Sequence, residues 1–319
     1  MITVVIPTIG RRSLHRLLAA LGTSLETIVV DDRPRFSPAL RVPGHVRVLR
    51  TGGRGPAAAR NAGWRAADTP WIAFLDDDVL PPPGWTDALV TDLRRLGADI
   101  AGSQGRLEVR LPAGRRPTDA ERNTAALTRA GWATADMAYR RAALAAVGGF
   151  DERFPRAYRE DADLALRLMR AGHRLVKGRR VTEHPVRDDG FWASVRAQRG
   201  NADDALMRRV HGPGWRAAVG GVPGRLPRHA VTSTLGLASC LLLLLHGVRP
   251  PEGVARGPGR LMGLAAAAGW LAMTAEFAWA RLAPGPRTPG EILRMAVTSV
   301  VIPPVACAHR LRGELRARR

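Results

Sequence analysis

Cysteine is nearly absent. Cys240 and Cys307 are the two in 319 residues, too few for a disulfide framework or a cysteine-rich zinc module. Both lie in apolar runs, where a thiol acts as a small buried hydrophobe. Lysine is rarer still: Lys177 stands alone beside a large excess of arginine. A bias this strong, next to abundant alanine and glycine, is partly compositional, so the net charge of +21 is weak evidence for nucleic acid. The opening MITVVIPTIG lacks a basic stretch and a long apolar core, so no cleaved signal peptide is expected. With 45% hydrophobic and 24% charged residues the chain is not disordered. Its length suits two domains, and no internal repeat is present.

The position of the charge says more than its total. Residues 205–319 hold four acids (Glu252, Glu276, Glu291, Glu314) against sixteen arginines, +12 of the +21. This third is also the most apolar. Ala230–Val248 carries no charge and contains the run Leu241–Leu245, just enough to cross a bilayer core of about 30 Å. Leu261–Leu282 is long enough but includes Glu276 and Arg281, and Ile292–Ala308 is shorter, with Arg294 and Pro303-Pro304. Basic and apolar together point to a membrane surface rather than a duplex. A small helical domain is the alternative. If the arginine-rich tail and the N-terminal part both stay in the cytosol, the number of crossings is even. Two spans and one surface-lying helix fit, although Arg249, Arg256 and Arg260 spoil a clean charge asymmetry. The expected division is a catalytic domain over 1–215 and a basic, apolar, membrane-associated helical region over 216–319.

The N-terminal two thirds alternate short apolar runs with helical stripes. Strands are expected at Thr3–Ile6, Thr27–Val30, Val46–Leu49, Trp71–Leu75 and Asp99–Gly102, with short ones at Arg174–Val176 and Val181–Glu183. Helices are expected at Ser13–Leu21 behind a serine cap, Ala57–Ala67, Gly84–Leu96, Arg140–Val147, Glu160–Ala171 and Phe191–Val210. Residues 103–130 read as a mobile loop or lid. Alternation of this kind gives an α/β fold with a mostly parallel sheet. Ligands then bind beyond the carboxyl ends of the strands, where the acidic clusters fall.

Asp76-Asp77-Asp78 follows the strand Trp71–Leu75. If the strand alternation continues, Asp76 and Asp78 share a face and offer hard oxygen ligands to Mg2+ or Mn2+, with phosphate oxygens completing the shell. A solvated acidic turn is the alternative. Asp31-Asp32 ends another strand and can accept from a ribose hydroxyl or a base N–H. The stretch Gly52–Gly63 contains Gly53-x-Gly55-x-x-Ala58 before a helix, a partial dinucleotide fingerprint. It follows the third strand rather than the first, and Pro56 removes a donor, so Arg60 and Asn61 facing a nucleotide is the preferred reading. Asp161 begins the inward stripe of the Glu160–Ala171 helix at the positive end of its dipole, placed to take a proton from a hydroxyl. His184 follows a strand and suits a third metal ligand. Trp132, Phe191 and Trp192 suit stacking on a sugar or core packing.

Taken in order, these pieces resemble the family 2 glycosyltransferases over about residues 1–210: Val4–Thr8 with Pro7, Val30-Asp31-Asp32, Ala59-Arg60-Asn61-Ala-Gly63, Phe74-Leu-Asp76-Asp-Asp78, Gly148-Gly149-Phe150-Asp151-Glu152, Glu160-Asp161-Ala-Asp163-Leu and His184. The resemblance implies a GT-A fold: a mixed, mostly parallel sheet with flanking helices, here followed by the C-terminal hydrophobic helical region. It implies an inverting transfer from a nucleotide-sugar donor to a lipid-linked or saccharide acceptor of the cell envelope, at the membrane with the catalytic domain on the cytoplasmic side. By it, Pro7, Asp31, Asp32, Arg60, Asn61, Asp76 and Asp77 lie on the nucleotide and donor. Asp76, Asp78 and His184 hold Mn2+ or Mg2+. Asp161 is the general base, positioned by Glu160, and Gly149, Phe150, Asp151 and Trp132 line the donor-sugar or acceptor site. Arg33-Pro34 stands where the family has Gly-Ser. Gln198-Arg199-Gly200-Asn201 lacks the tryptophan of the processive members' signature, which favours a single addition. The competing readings are a basic membrane- or nucleic-acid-binding protein without catalysis, and an NAD(P)-binding or nucleotidyltransferase enzyme on a related sheet. The glycosyltransferase reading expects no nucleic-acid partner.

Overall fold

The computed structural model describes residues 1–36, 38–186, 189–247 and 258–318. Arg249, Arg256 and Glu252 lie outside them. In chain order the elements are β1 (Ile2–Thr8), α1 (Ser13–Leu21), β2 (Glu26–Asp31), β3 (Arg47–Arg50), α2 (Pro56–Arg65), β4 (Trp71–Leu75), α3 (Trp85–Arg94), β5 (Ile100–Glu108), α4 (Asp119–Ala125), β6 (Asp136–Arg140), α5 (Arg141–Ala146), α6 (Glu160–Arg170), β7 (Arg174–Glu183), α7 (Ala193–Ala197), α8 (Gly200–His211), α9 (Trp215–Ala218), α10 (Leu226–Gly247), α11 (Pro258–Leu282) and α12 (Pro289–Ala317). Two compact units result. One comprises 1–111, 123–186 and 210–221, the other 112–122, 187–209 and 222–319.

The first unit is built on a seven-stranded sheet of order β3-β2-β1-β4-β6-β5-β7. β3, β2, β1 and β4 run parallel; β6 is antiparallel to both β4 and β5, and β7 is parallel to β5. β4 is buried along its whole length and β1 nearly so, which is why they read as unbroken apolar runs. Val4, Ile6, Ala73 and Leu75 pack with Leu14, Leu17 and Leu18 of α1 and Trp85 and Leu89 of α3. Val5, Ile72 and Phe74 face the other way, onto Ala59 and Trp64 of α2 and Leu164 and Leu168 of α6. A Cβ on Gly63 would come 2.3 Å from Val5 Cγ1, so α2 lies directly on β1. Because α1 covers one face and α2 the other, the crevice opens at the carboxyl ends of β1 and β4.

Several expectations need correction. Ser13 is the first helical residue of α1 and caps nothing; Arg12 holds the cap position without a side-chain bond. The loop expected over 103–130 is largely ordered. β5 runs on to Glu108, and α4 and a 3-10 turn at Ala126–Arg129 follow. β6 has no counterpart in the sequence reading. The two short strands at 174–183 are one strand, β7, whose pairing with β5 shifts register between Ile100 and Gly102 and again between Gln104 and Arg106. The single helix expected over 191–210 is two, α7 and α8.

In the second unit α10, α11 and α12 are each long and apolar enough to cross a membrane. Several of their charges are matched inside the unit. Glu276 accepts from Arg225 at 2.7 Å. Arg281 reaches Thr298 and Ser299 of α12, Asp119 of α4 and Ser194 of α7 at 2.8–3.0 Å. Thr288 caps α12 by accepting from Glu291 N, and Pro289 takes the first helical position, where its missing N–H costs nothing.

Candidate active site

The acidic triplet does not continue the strand. β4 stops at Leu75 and residues 76–78 form a turn closed by Val79 N donating to Asp76 O. The strand alternation that would set Asp76 and Asp78 on one face therefore does not apply, and the three carboxylates diverge. Asp77 is buried and accepts from Thr8 Oγ1 at 2.6 Å and from Arg11 at 2.7 Å, so it braces the β1–α1 turn beside Pro7. Asp76 keeps 27% of its side chain exposed and meets the Arg60 guanidinium at 2.8 Å. Asp78 turns to His184, 3.8 Å from Nε2, with Arg11 at 3.6 Å. That approach is enforced by a backbone bridge: Leu80 and Glu183 exchange N–H···O bonds of 2.8 and 3.1 Å, pinning the turn to the end of β7. Arg11, absent from the sequence reading, pairs with both Asp77 and Asp78. Burial lowers its pKa, but Asp77, Asp78 and Asp76 outweigh that and raise it.

Among the described residues no three His, Cys, Asp or Glu side chains form a ready metal cage. A divalent cation completed by phosphate oxygens needs only one or two protein ligands. Asp78 and His184 fit that role. Nδ1 of His184 lies 3.1 Å from the Pro185 carbonyl. A carbonyl only accepts, so Nδ1 carries the hydrogen, and in the neutral ring Nε2 turns a lone pair toward the Asp78 carboxylate. In its neutral form His184 can share a cation with Asp78.

Asp31 and Asp32 are both buried and committed. Asp31 accepts from Arg33 N, Nε and a terminal nitrogen. Burial raises its pKa, but those hydrogen bonds prevail and hold it below the usual carboxylate range. Asp32 accepts from Thr51 Oγ1, Arg54 N and Gly55 N at 2.7–2.9 Å. The amides that a dinucleotide loop would turn to a pyrophosphate are thus spent on Asp32, which disposes of the NAD reading of Gly53–Ala58.

Asn61 is also turned inward. Its Nδ2 donates to Phe150 O at 2.8 Å and Glu152 Oε1 at 2.9 Å, and its Oδ1 accepts from Trp64 Nε1 and Phe150 N, both at 2.9 Å. Every hydrogen-bonding position of the amide is filled, so Asn61 is a brace rather than a group facing a nucleotide. Gly149 (φ +76°) packs on it; a Cβ would lie 2.5 Å from Asn61 Oδ1. Phe150 is buried, edge-on to Phe74 at 5.2 Å, with the Arg60 guanidinium 5.6 Å above its ring. Asp151 is held by Arg153 at 2.7 Å. Gly149 and Phe150 therefore form the floor beneath Arg60 instead of lining an open cleft.

On that floor Arg60, 1% exposed, donates to Glu160 Oε1 at 2.7 Å and to Asp76. Glu160 is 2% exposed. Burial and the neighbouring Asp161 push its pKa up to about 8 against the opposing pull of Arg60. Asp161 is partly buried at the start of α6. Burial raises its pKa and Asp76 adds to this, opposed by the Ala162 N–H, Arg60 and Arg159. Asp163 points away, into a buried cluster with Arg167 and His211. Trp132 has φ +66° and its N–H donates to Gln104 Oε1 at 2.6 Å. It stands just before β6, whose Asp136 pairs with Leu75. Its strained, half-buried setting is the kind met at binding sites. Arg159 (φ +79°), preceding Glu160, is the other non-glycine residue with positive φ among those described. A second network escaped the sequence reading: Asp136 is buried and accepts from Trp85 Nε1, Arg180 Nε and Thr182 Oγ1. No periodicity marks it, because the partners of Asp136 come from α3 and β7.

The mixed, mostly parallel seven-stranded sheet with flanking helices is a fold of the GT-A type. Residues 3–145 match the Glycosyl transferase family 2 model. It is 35% identical over 195 residues to the pre-mycofactocin glycosyltransferase of Mycobacterium tuberculosis, covering 54% of this chain and 40% of that protein. It is 38% identical over 98 residues to the succinoglycan biosynthesis protein ExoO of Rhizobium meliloti, covering 29% and 27%. The chain thus spans well under half the length of these relatives. Among solved structures it is similar in fold to the Pyrobaculum calidifontis mannosyltransferase PcManGT in complex with GDP-Man and Mn2+. That match has a TM-score of 0.54 and 18% identity over 97% of this chain and 86% of the other.

Proposed function

We propose that this protein moves a sugar from a nucleoside-diphosphate donor to a hydroxyl of a lipid-linked or cell-envelope saccharide acceptor, with inversion at the anomeric carbon. The observation that carries this reading is the gathering of Asp76, Asp78, His184, Arg60, Glu160 and Asp161 at the carboxyl end of β4. Asp161 takes the proton of the acceptor hydroxyl. The oxygen then bonds to the anomeric carbon as the bond to the diphosphate oxygen breaks, and the electron pair leaves on the nucleotide. Glu160 and Arg60 hold Asp161 in place. Asp78 and His184 would hold Mn2+ or Mg2+, which supplies charge neutralisation for the departing diphosphate. A solved mannosyltransferase of like fold carries Mn2+ with its donor, in line with such a cation. Trp132, strained beside β6, is a platform for the donor sugar or acceptor. The names of the relatives support glycosyl transfer, and a succinoglycan biosynthesis protein among them is in keeping with a saccharide acceptor.

The three apolar helices of the second unit support a membrane location, and the arginines beyond Ala308 suit an anionic surface. The catalytic unit faces the cytoplasm, on the same side as the arginine-rich tail. The test is release of nucleoside diphosphate from UDP-, GDP- and dTDP-sugars by detergent-solubilised protein with Mn2+ and a polyprenyl-phosphate saccharide acceptor. Release that requires acceptor and Mn2+ and vanishes in Asp161→Asn supports the reading. Release unaffected by Asp161→Asn removes Asp161 as the base.

A further inference from the structure

Two carboxylates share one buried cation. The two terminal nitrogens of Arg60 are divided between partners, one on Asp76 at 2.8 Å and the other on Glu160 at 2.7 Å. The guanidinium is fixed from below by the Phe150 ring, which Asn61 on the next position of α2 holds by both backbone groups. Asp161 senses Arg60 and Asp76 as well. The bridge is not fully satisfied. Glu160 Oε2 and Arg60 Nε are buried without a hydrogen-bond partner, as is the Tyr139 hydroxyl, which lies within the field of Asp161, Arg60, Arg167 and Glu160. An oxygen with no donor near it in a dry site is where a carboxyl keeps its proton. Glu160 can accept from Arg60 through Oε1 while Oε2 stays protonated.

We propose that Arg60 is a positioning residue that couples the donor side of the site to the base side: positive charge arriving at the Asp76–Asp78 turn relieves Arg60 of Asp76, tightens its hold on Glu160 and expels one proton from the Glu160–Asp161 pair to solvent. This rests on the proposed donor and cation site. The other charged and titratable groups facing the pair are Tyr139 from β6, Arg159 at the start of α6 and Arg167 within it. Arg60 bonds to both Asp76 and Glu160 and is thus the direct link between the donor turn and the pair. Glu160 is then neutral in the resting enzyme and ionised once donor is bound, and each unit of pKa so removed raises the ionised-to-protonated ratio about tenfold.

Calorimetry of the full-length detergent-solubilised protein tests this. The preformed Mn2+ complex of UDP, GDP or dTDP, whichever binds, is titrated in two buffers of equal pH and different ionisation heat. The proton count is read as the difference between wild type and Glu160→Gln, which cancels the nucleotide's own contribution. The account expects close to one proton released per nucleotide at pH 7, falling toward none above pH 9, where a carboxyl near 8 is already ionised. Asp76→Asn and Arg60→Lys should each abolish the difference while nucleotide still binds. If Arg60→Lys does not fold, Asp76→Asn, on the exposed arm of the bridge, carries the test. Binding without this release in wild type, or release that survives in Asp76→Asn, overturns the coupling and leaves the donor site standing. Failure of every diphosphate to bind overturns both.

Discussion

Replacing Asn61 by alanine removes four hydrogen bonds from a position that solvent does not reach. Three of the groups left behind, Phe150 N, Phe150 O and Trp64 Nε1, are themselves enclosed. A stranded buried donor or acceptor costs about 1–3 kcal/mol, and neighbouring losses are not additive, so a net destabilisation of about 3–5 kcal/mol follows. The unit that contains Asn61 has roughly 190 residues. For that size each kcal/mol lowers the melting temperature by about 2–4 °C, giving a fall of roughly 10 °C. Intrinsic tryptophan fluorescence of the detergent-solubilised protein reads this directly, since Trp64 is one of the partners lost. At a temperature well below both transitions the variant should bind nucleotide as wild type does, because the amide faces the Phe150 turn. A fall under about 3 °C together with a weakened nucleotide affinity would refute the reasoning and return Asn61 to the nucleotide.

Gly149→Ala should destabilise by a comparable amount, since its Cβ would press on Asn61 Oδ1 at 2.5 Å in a left-handed backbone; thermal melts check it, and a neutral outcome would mean the turn can shift. Asp161→Asn should keep donor binding and lose turnover, measured by diphosphate release against nucleotide affinity. Glu160 makes stability depend on pH with a definite sign. Between its ordinary value of 4.5 and its folded value of about 8 the native state binds more protons than the unfolded one, so its contribution declines as pH rises through that window. Glu160→Gln should flatten this slope in denaturation midpoints taken from pH 5 to 8. Leu241→Asp with Leu244→Asp, both on exposed positions of α10, should shift the protein out of the alkaline-washed membrane pellet, and retention there would mean that another element anchors the chain.

Much of the first unit was legible because its strands are buried on both faces. β1 and β4 read as apolar runs, and the leucine stripe of α1 gave its buried side without ambiguity. β6 was not legible: five residues, DMAYR, carry no clear alternation, and its antiparallel place between β4 and β5 depends on partners distant in sequence. The triplet Asp76–Asp78 stood out in the sequence, but its geometry was misjudged, since the alternation rule fails where the strand ends one residue earlier. Asn61 and Gly149 stood in the right motifs with the wrong task assigned. Their spacing marks them as special, and only the packing of α2 against the 148–152 turn reveals that they brace Arg60. The bridge from Arg60 to Glu160 spans 100 residues of chain, beyond the reach of any local pattern.

The most direct test of a cation-dependent donor site is the thermal shift produced by UDP, GDP and dTDP, each with and without Mn2+. A ligand at about 100 times its Kd adds roughly 2.7 kcal/mol to the folded state, a shift of about 5–10 °C for a unit of this size. The account predicts such a shift for one diphosphate, only with Mn2+, and its loss in Asp78→Ala. A shift that ignores Mn2+, or one that Asp78→Ala retains in full, would contradict it.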